Sequence, residues 1–180
     1  LGWRHKRLTG EEYLSFIGRF VRAFRNVFPN AICQWEDFSR QNAFSIKDAF
    51  AEELISFNDD IQGSGAVANA ALLNAMKIKK ESLTDQVFLV HGAGTVGIGI
   101  AQQIEAMLIK KGLSQQDAKS RIFAMDSKGL ITTEREVELF KIRYAKSQKD
   151  CKWLNKGTIE DVIRGAKITV VIGASGNDDY

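Results

Sequence analysis

Apolar residues at Leu14, Ile17, Phe20, Val21, Phe24 and Val27 return at helical intervals until Phe28-Pro29, so the spacing predicts one amphipathic helix. Thr9-Gly10-Glu11-Glu12 has the spacing of a capping box and is expected to start it. Its other side carries Arg19, Arg22 and Arg25, which read as a solvated face. Arg4-His5-Lys6-Arg7 reads as a surface turn or a subunit contact. Beyond Pro29, the short run Ala31-Ile32-Cys33-Gln34-Trp35 predicts a buried strand ending on Glu36-Asp37. A helical stretch to about Glu53, a turn at Phe57-Asn58-Asp59-Asp60 and an apolar helix from about Ile61 to Met76 are expected next.

From Gln86 the pattern becomes strand, glycine turn, helix. Val87 to Val90 leads into Gly92-Ala93-Gly94-Thr95-Val96-Gly97 and then the apolar stretch Ile98 to Leu108. Arg121 to Met125 repeats the strand type and ends on Asp126, Thr158 with Asp161 begins a short helix, and Ile168 to Ile172 predicts a third buried strand. Strands alternating with helices give an α/β fold with a doubly wound parallel sheet.

Composition narrows the class without choosing a function. Over 180 residues, 44% hydrophobic and 26% charged content is ordinary for a globular chain with a real core. A net charge of +3, spread along the chain, gives no reason to expect nucleic acid. Cys33 and Cys151 lie far apart, with no CxxC pair and no signal-peptide pattern, so a reduced, cytoplasmic protein is expected. No run of about 18 apolar residues exists, so no membrane span is expected. The chain opens at Leu1 without methionine and stops at Tyr180 just after a strand, as expected of a fragment.

Gly92, Gly94 and Gly97 sit between an apolar strand and an apolar helix, the setting in which a glycine fingerprint binds a dinucleotide. The first glycine lets the chain turn, the second admits the pyrophosphate to the backbone, and the third lets helix and strand pack closely. Asp126 closes the second strand, where a carboxylate can accept ribose hydroxyls, and it favours NAD. Ser127 and Lys128 follow directly and could tolerate a 2′-phosphate, which keeps NADP open.

Two acidic pairs, Glu36-Asp37 and Asp59-Asp60, each end an apolar element. Four converging like charges would be costly without a cation, and oxygen ligands alone suit Mg²⁺ or Mn²⁺. Taken singly, Asp59-Asp60 reads equally as a helix cap and Glu36-Asp37 as loop charge.

Gln34-Trp35-Glu36-Asp37-Phe38, then Phe57-Asn58-Asp59-Asp60-Ile61-Gln62-Gly63-Ser64-Gly65-Ala66-Val67, then Gly92-Ala93-Gly94 resemble, in order and spacing, the successive signatures of the malic enzyme family, which includes malolactic enzymes. Trp3 to Tyr13 resembles the family's approach to the first helix, so the similarity covers essentially the whole chain. The departures, Trp35 for phenylalanine and Ser64 for threonine, keep shape or hydroxyl. The resemblance implies that Glu36, Asp37 and Asp60 are metal ligands and that Asp59 helps position a catalytic lysine lying outside this chain. It implies that Gly92, Gly94, Thr95, Val96 and Gly97 wrap the NAD pyrophosphate, and that Asp126, with Ser127 beside it, meets the ribose. Residues 1–58 would then be the C-terminal part of a substrate and metal domain, and 59–180 a Rossmann domain. The implied activity is oxidative decarboxylation of L-malate to pyruvate with NAD and Mn²⁺ or Mg²⁺, in a homo-oligomer. Malolactic conversion to lactate with retained NAD is the alternative, and a non-catalytic dinucleotide-binding module is the reading from another class.

Overall fold

The computed structural model describes Gly2, residues 4–154 and residues 157–176. Trp3 and Tyr180, which entered the sequence reading, lie outside these residues. The chain divides into two compact units, Leu1–Asn58 and Asp59–Tyr180.

In the first unit, helix α1 spans Gly10–Val27 and buries Ile17, Gly18 and Val21. The expected capping box does not close: Thr9 occupies the N-cap position without a side-chain hydrogen bond. The next residue, Gly10, lies in the left-handed region at φ +57, away from the regular first turn such a box requires. Strand β1 (Cys33–Trp35), helix α2 (Arg40–Ala49) and strand β2 (Ser56–Asn58) complete the unit. β1 and β2 pair in parallel, with Trp35 opposite Asn58. β2 stands where the sequence predicts a turn, because cross-strand pairing overrides the turn preference of Asn-Asp-Asp. Ile17, Val21, Cys33, Trp35, Ile46, Phe50 and Leu54 form the core, with Phe20 and Phe38 edge-on to Trp35 at centroid distances of 5.9 and 5.8 Å.

The second unit opens with a π-helical turn, Asp59–Gly63, that runs into helix α3, Ser64–Lys79. Strand β3 (Phe88–His91), helix α4 (Thr95–Lys110), helix α5 (Gln115–Ser120) and strand β4 (Ile122–Asp126) follow. A two-residue strand β5 (Gly129–Leu130), helix α6 (Leu139–Ile142), helix α7 (Ile159–Gly165) and strand β6 (Val170–Gly173) complete it. The sheet order is β5-β4-β3-β6, with β3 parallel to both β4 and β6. β5 is antiparallel to β4, so the sheet departs at one edge from the all-parallel expectation. β6, predicted as buried, is partly exposed because it holds the opposite edge. Thr158 caps α7, its hydroxyl accepting from the Asp161 N–H at 3.3 Å. Buried Leu89, Met125, Leu130, Cys151 and Val162 pack in this unit, and both cysteines of the chain are buried free thiols.

The excursion from Ile131 to Lys146 carries little regular structure, and polar contacts fasten it. Glu105 on α4 is 1% exposed and receives both Arg143 Nε and a second guanidinium nitrogen at 2.7 Å, plus the Tyr144 hydroxyl at 2.8 Å. Burial works to raise the Glu105 pKa, but these hydrogen bonds prevail and hold it below the usual carboxylate value, while burial and Glu105 push Tyr144 up. Lys146 Nζ donates to the Lys119 and Ser120 carbonyls at 2.7 and 3.1 Å and lies 4.5 Å from the Phe123 ring centroid. Desolvation lowers the Lys146 pKa to about 8.

Candidate functional site

Between β3 and α4 the chain reverses at Gly92, whose φ of +112 suits glycine alone. Gly92 and Ala93 N–H groups donate to the Met125 carbonyl at 2.9 and 2.8 Å, and Gly94 N–H donates to the Gly92 carbonyl at 2.8 Å. Gly94 takes the N-cap position and Thr95 starts α4, so the free N–H groups of the first helical turn follow directly after the glycine loop. A Cβ at Gly92 would stand 2.5 Å from the Ala174 carbonyl carbon and 2.6 Å from Ser175 N, in the segment after β6. A Cβ at Gly97 would overlap the Gly92 carbonyl oxygen. The result is a cradle whose floor is main chain and whose rim is a helix N-terminus, a form that fits a diphosphate. Thr95 is buried and Val96 half-buried.

Asp126, at the end of β4, is held from three directions. Its Oδ1 accepts from Lys128 N–H at 3.0 Å and from the Arg135 guanidinium at 2.8 Å, while Oδ2 accepts from Lys141 Nζ at 3.2 Å. Burial works to raise its pKa, and the bonds from Arg135, Lys128 and Lys141 outweigh burial and hold it below the ordinary carboxylate value. Ser127 and Lys128 are exposed. Arg135 and Lys141 were not singled out by sequence reasoning; both lie in the irregular excursion, where no periodicity or spacing ties them to Asp126.

The acidic pairs have different settings. Glu36 and Asp37 follow β1 and are exposed; Glu36 Oε2 accepts from Gln34 Nε2 at 2.9 Å, and Asp37 takes the left-handed conformation at φ +60. Asp59 and Asp60 are half-buried in the first positions of the π-helical turn, ahead of buried Ile61. These oxygen donors fit a hard cation in their chemistry. Among the described residues, however, no three His, Cys, Asp or Glu side chains gather closely enough to hold a metal ion. On α1, Arg22 and Arg25 line a recess of about 390 Å³ with Asn26 and Pro29. No helix among the described residues is long and apolar enough to cross a membrane.

Comparison with known proteins gives this geometry a context. Residues 61–180 match the family model for the malic enzyme NAD-binding domain, and residues 1–51 match that for the malic enzyme N-terminal domain. The chain is 40% identical to the NAD-dependent malic enzyme of Photorhabdus laumondii and 41% identical to NAD-dependent malic enzyme 3 of Bacillus subtilis, over 98% and 97% of its length. It is 38% identical to the malolactic enzyme of Leuconostoc mesenteroides over 97% of its length. It spans about a third of these relatives, 32%, 32% and 33%. Among solved structures, the NAD-dependent malic enzyme of Thermotoga maritima aligns with a TM-score of 0.71 at 23% identity, over 96% of this chain and 43% of that one. The malic enzyme of Entamoeba histolytica aligns at 0.69 and 23%, over 94% and 34%. At that identity the structural likeness speaks for the fold.

Proposed function

The chain belongs to the malic enzyme family, and from that premise we propose that it forms part of an enzyme converting L-malate to pyruvate and CO₂ with NAD. The observation that carries this reading is the glycine cradle at the N-terminus of α4, in a sequence about 40% identical to NAD-dependent malic enzymes over nearly its whole length.

In this reading, Gly92, Gly94, Thr95, Val96 and Gly97 bind the pyrophosphate through main-chain N–H groups and the helix N-terminus. Asp126 serves the adenosine ribose: Arg135, Lys128 and Lys141 keep its carboxylate ionised and oriented, and its remaining lone pair on Oδ2 accepts a hydroxyl. Ser127, exposed beside it, offers a second hydroxyl contact. Bound NAD supplies the hydride acceptor. A divalent cation, Mn²⁺ or Mg²⁺, would supply polarisation of the malate C2 oxygen, with Glu36, Asp37 and Asp60 as its carboxylate donors. Asp59 positions a lysine base contributed from outside this chain. On this reading residues 1–58 belong to the substrate and metal domain, and 59–180 to the cofactor domain.

A second reading is favoured by one specific observation, the 38% identity to a malolactic enzyme. That reaction gives lactate and CO₂ without net NADH. The deciding experiment supplies the full-length protein with L-malate, Mn²⁺ and NAD, follows NADH absorbance and identifies the product. Pyruvate with stoichiometric NADH supports the first reading, and lactate without NADH the second. Neither product would leave a dinucleotide-binding module. Mn²⁺ titration of Asp60→Asn tests the cation assignment separately, since unchanged affinity would remove Asp60 from the donor set.

A further inference from the structure

Helix α4 is thinned to bare main chain on two opposite faces. Gly97 lies against the Gly92 carbonyl, on the face that meets the dinucleotide turn. Gly99 comes two residues later, roughly 200° further around the helix, and meets the π-helical turn: a Cβ there would stand 2.5 Å from the Ile61 oxygen, 2.6 Å from its Cα and 3.0 Å from its carbonyl carbon. The same turn holds a second glycine with no spare room. A Cβ at Gly63 would overlap Asp59 Oδ1 and lie 2.8 Å from Asp59 Cγ, so the Asp59 carboxylate occupies the space that a side chain at 63 would fill. Ile61, 1% exposed, fixes the middle of the turn in the core.

Resting on the reading of Asp59 as a working carboxylate, we infer that Gly63 and Gly99 are positioning residues for the Asp59–Asp60 turn. Gly63 leaves open the volume in which the Asp59 carboxylate lies. Gly99 sets the depth at which the turn's main chain rests on α4, and through α4 its distance from the dinucleotide cradle. The helix is thus a spacer of main-chain thickness between two parts of the site, and neither glycine belongs to the fingerprint Gly92, Gly94 and Gly97.

The two positions fail in different ways when a methyl is added. At Gly63 the obstruction is the end of a short side chain, which can rotate away with little cost to folding. At Gly99 it is main chain, so the turn itself must move. The test uses the full-length protein with Gly63→Ala, Gly99→Ala and Asp59→Asn, reading kcat, KM for NAD, NAD affinity by fluorescence, and amide hydrogen exchange across 59–63. Displacement of a positioned group by about 1 Å can cost on the order of a hundredfold in rate. Both alanine variants are therefore expected to lose kcat by at least about tenfold while NAD affinity and KM for NAD hold, with faster exchange across the turn in Gly99→Ala. Loss of kcat in Asp59→Asn together with wild-type kcat in Gly63→Ala would overturn the inference while leaving the reading of Asp59 intact. Full activity in Asp59→Asn would instead remove that reading. Wild-type kcat in a folded Gly99→Ala would overturn the role given to Gly99. If that variant does not fold, unchanged exchange across 59–63 in wild type bound to NAD and wild-type kcat in Gly63→Ala would together overturn the inference.

Discussion

Glu105 shows what one buried residue can demand. At 1% exposure, its carboxylate stays ionised because Arg143 meets it with two nitrogens and Tyr144 adds a hydroxyl. Its folded pKa is depressed, so its contribution is complete above the ordinary value of 4.5 and is lost as pH falls through the lower folded value. Glu105→Gln should therefore lower stability by about 1.5–3 kcal/mol near neutrality, and its thermal midpoint should vary less than wild type's below pH 4.5. At Asp126 the expected change is in ligand choice. Asp126→Ala leaves Arg135 and Lys141 without that carboxylate, so NAD affinity should fall and NADP affinity rise in parallel titrations. Asp126 was legible from its place at a strand end followed by a turn. Its cations were not, because their contacts span a loop whose path no local pattern dictates. Trp35 adds a residue-scale contrast: its buried indole N–H lacks a partner among the described residues, so Trp35→Phe removes a desolvated donor and should leave the thermal midpoint nearly unchanged despite the smaller ring.

At the scale of elements, periodicity predicted α1, α4, β3 and β4 because each carries its own signal: a repeating apolar face, or an apolar run closed by glycine or aspartate. β2 and β5 exist through their pairing partners and had no such signal. The glycine turn belongs to this scale, since its geometry is shared by β3, α4 and the segment after β6. Gly97→Val would drive a side chain into the Gly92 carbonyl and part helix from strand. NAD affinity should fall by tenfold or more, about 1.4 kcal/mol, in a fluorescence titration. Lys146 joins the excursion to the end of α5, and its folded pKa of about 8 lies below the ordinary 10.5. For a lysine depressed in this way the unfolded chain binds more protons between those two values, so stability rises with pH across that window. Cys151 and Asp150 lie close enough to bear on Lys146, and the thiol's raised pKa acts in the opposite sense. The wild-type minus Lys146→Met difference in denaturation midpoint isolates the lysine, and it should increase from pH 8 to 10.5.

At the scale of the whole chain there are two units, each with its own core. A ligand seated on the glycine cradle stabilises the unit that contains it, by about 2.7 kcal/mol at a concentration near 100 times Kd. Hydrogen exchange with saturating NAD should therefore slow amides in β3, β4 and β6 more than those in β1 and β2. The sheet's wiring also bears on how the chain is made. β3, at the centre, pairs with β4, whose partner for Phe88 is Ile122, and with β6, whose partner for the same residue is Val170. During synthesis at about 5–20 residues per second, one side of β3 waits roughly 4–16 seconds for the strand that will cover it. Throughout that interval an apolar strand presents a row of unmatched amides and carbonyls to its surroundings. The nascent chain is most exposed to clumping in that window, and a chaperone arriving between β4 and β6 would act where the need is greatest.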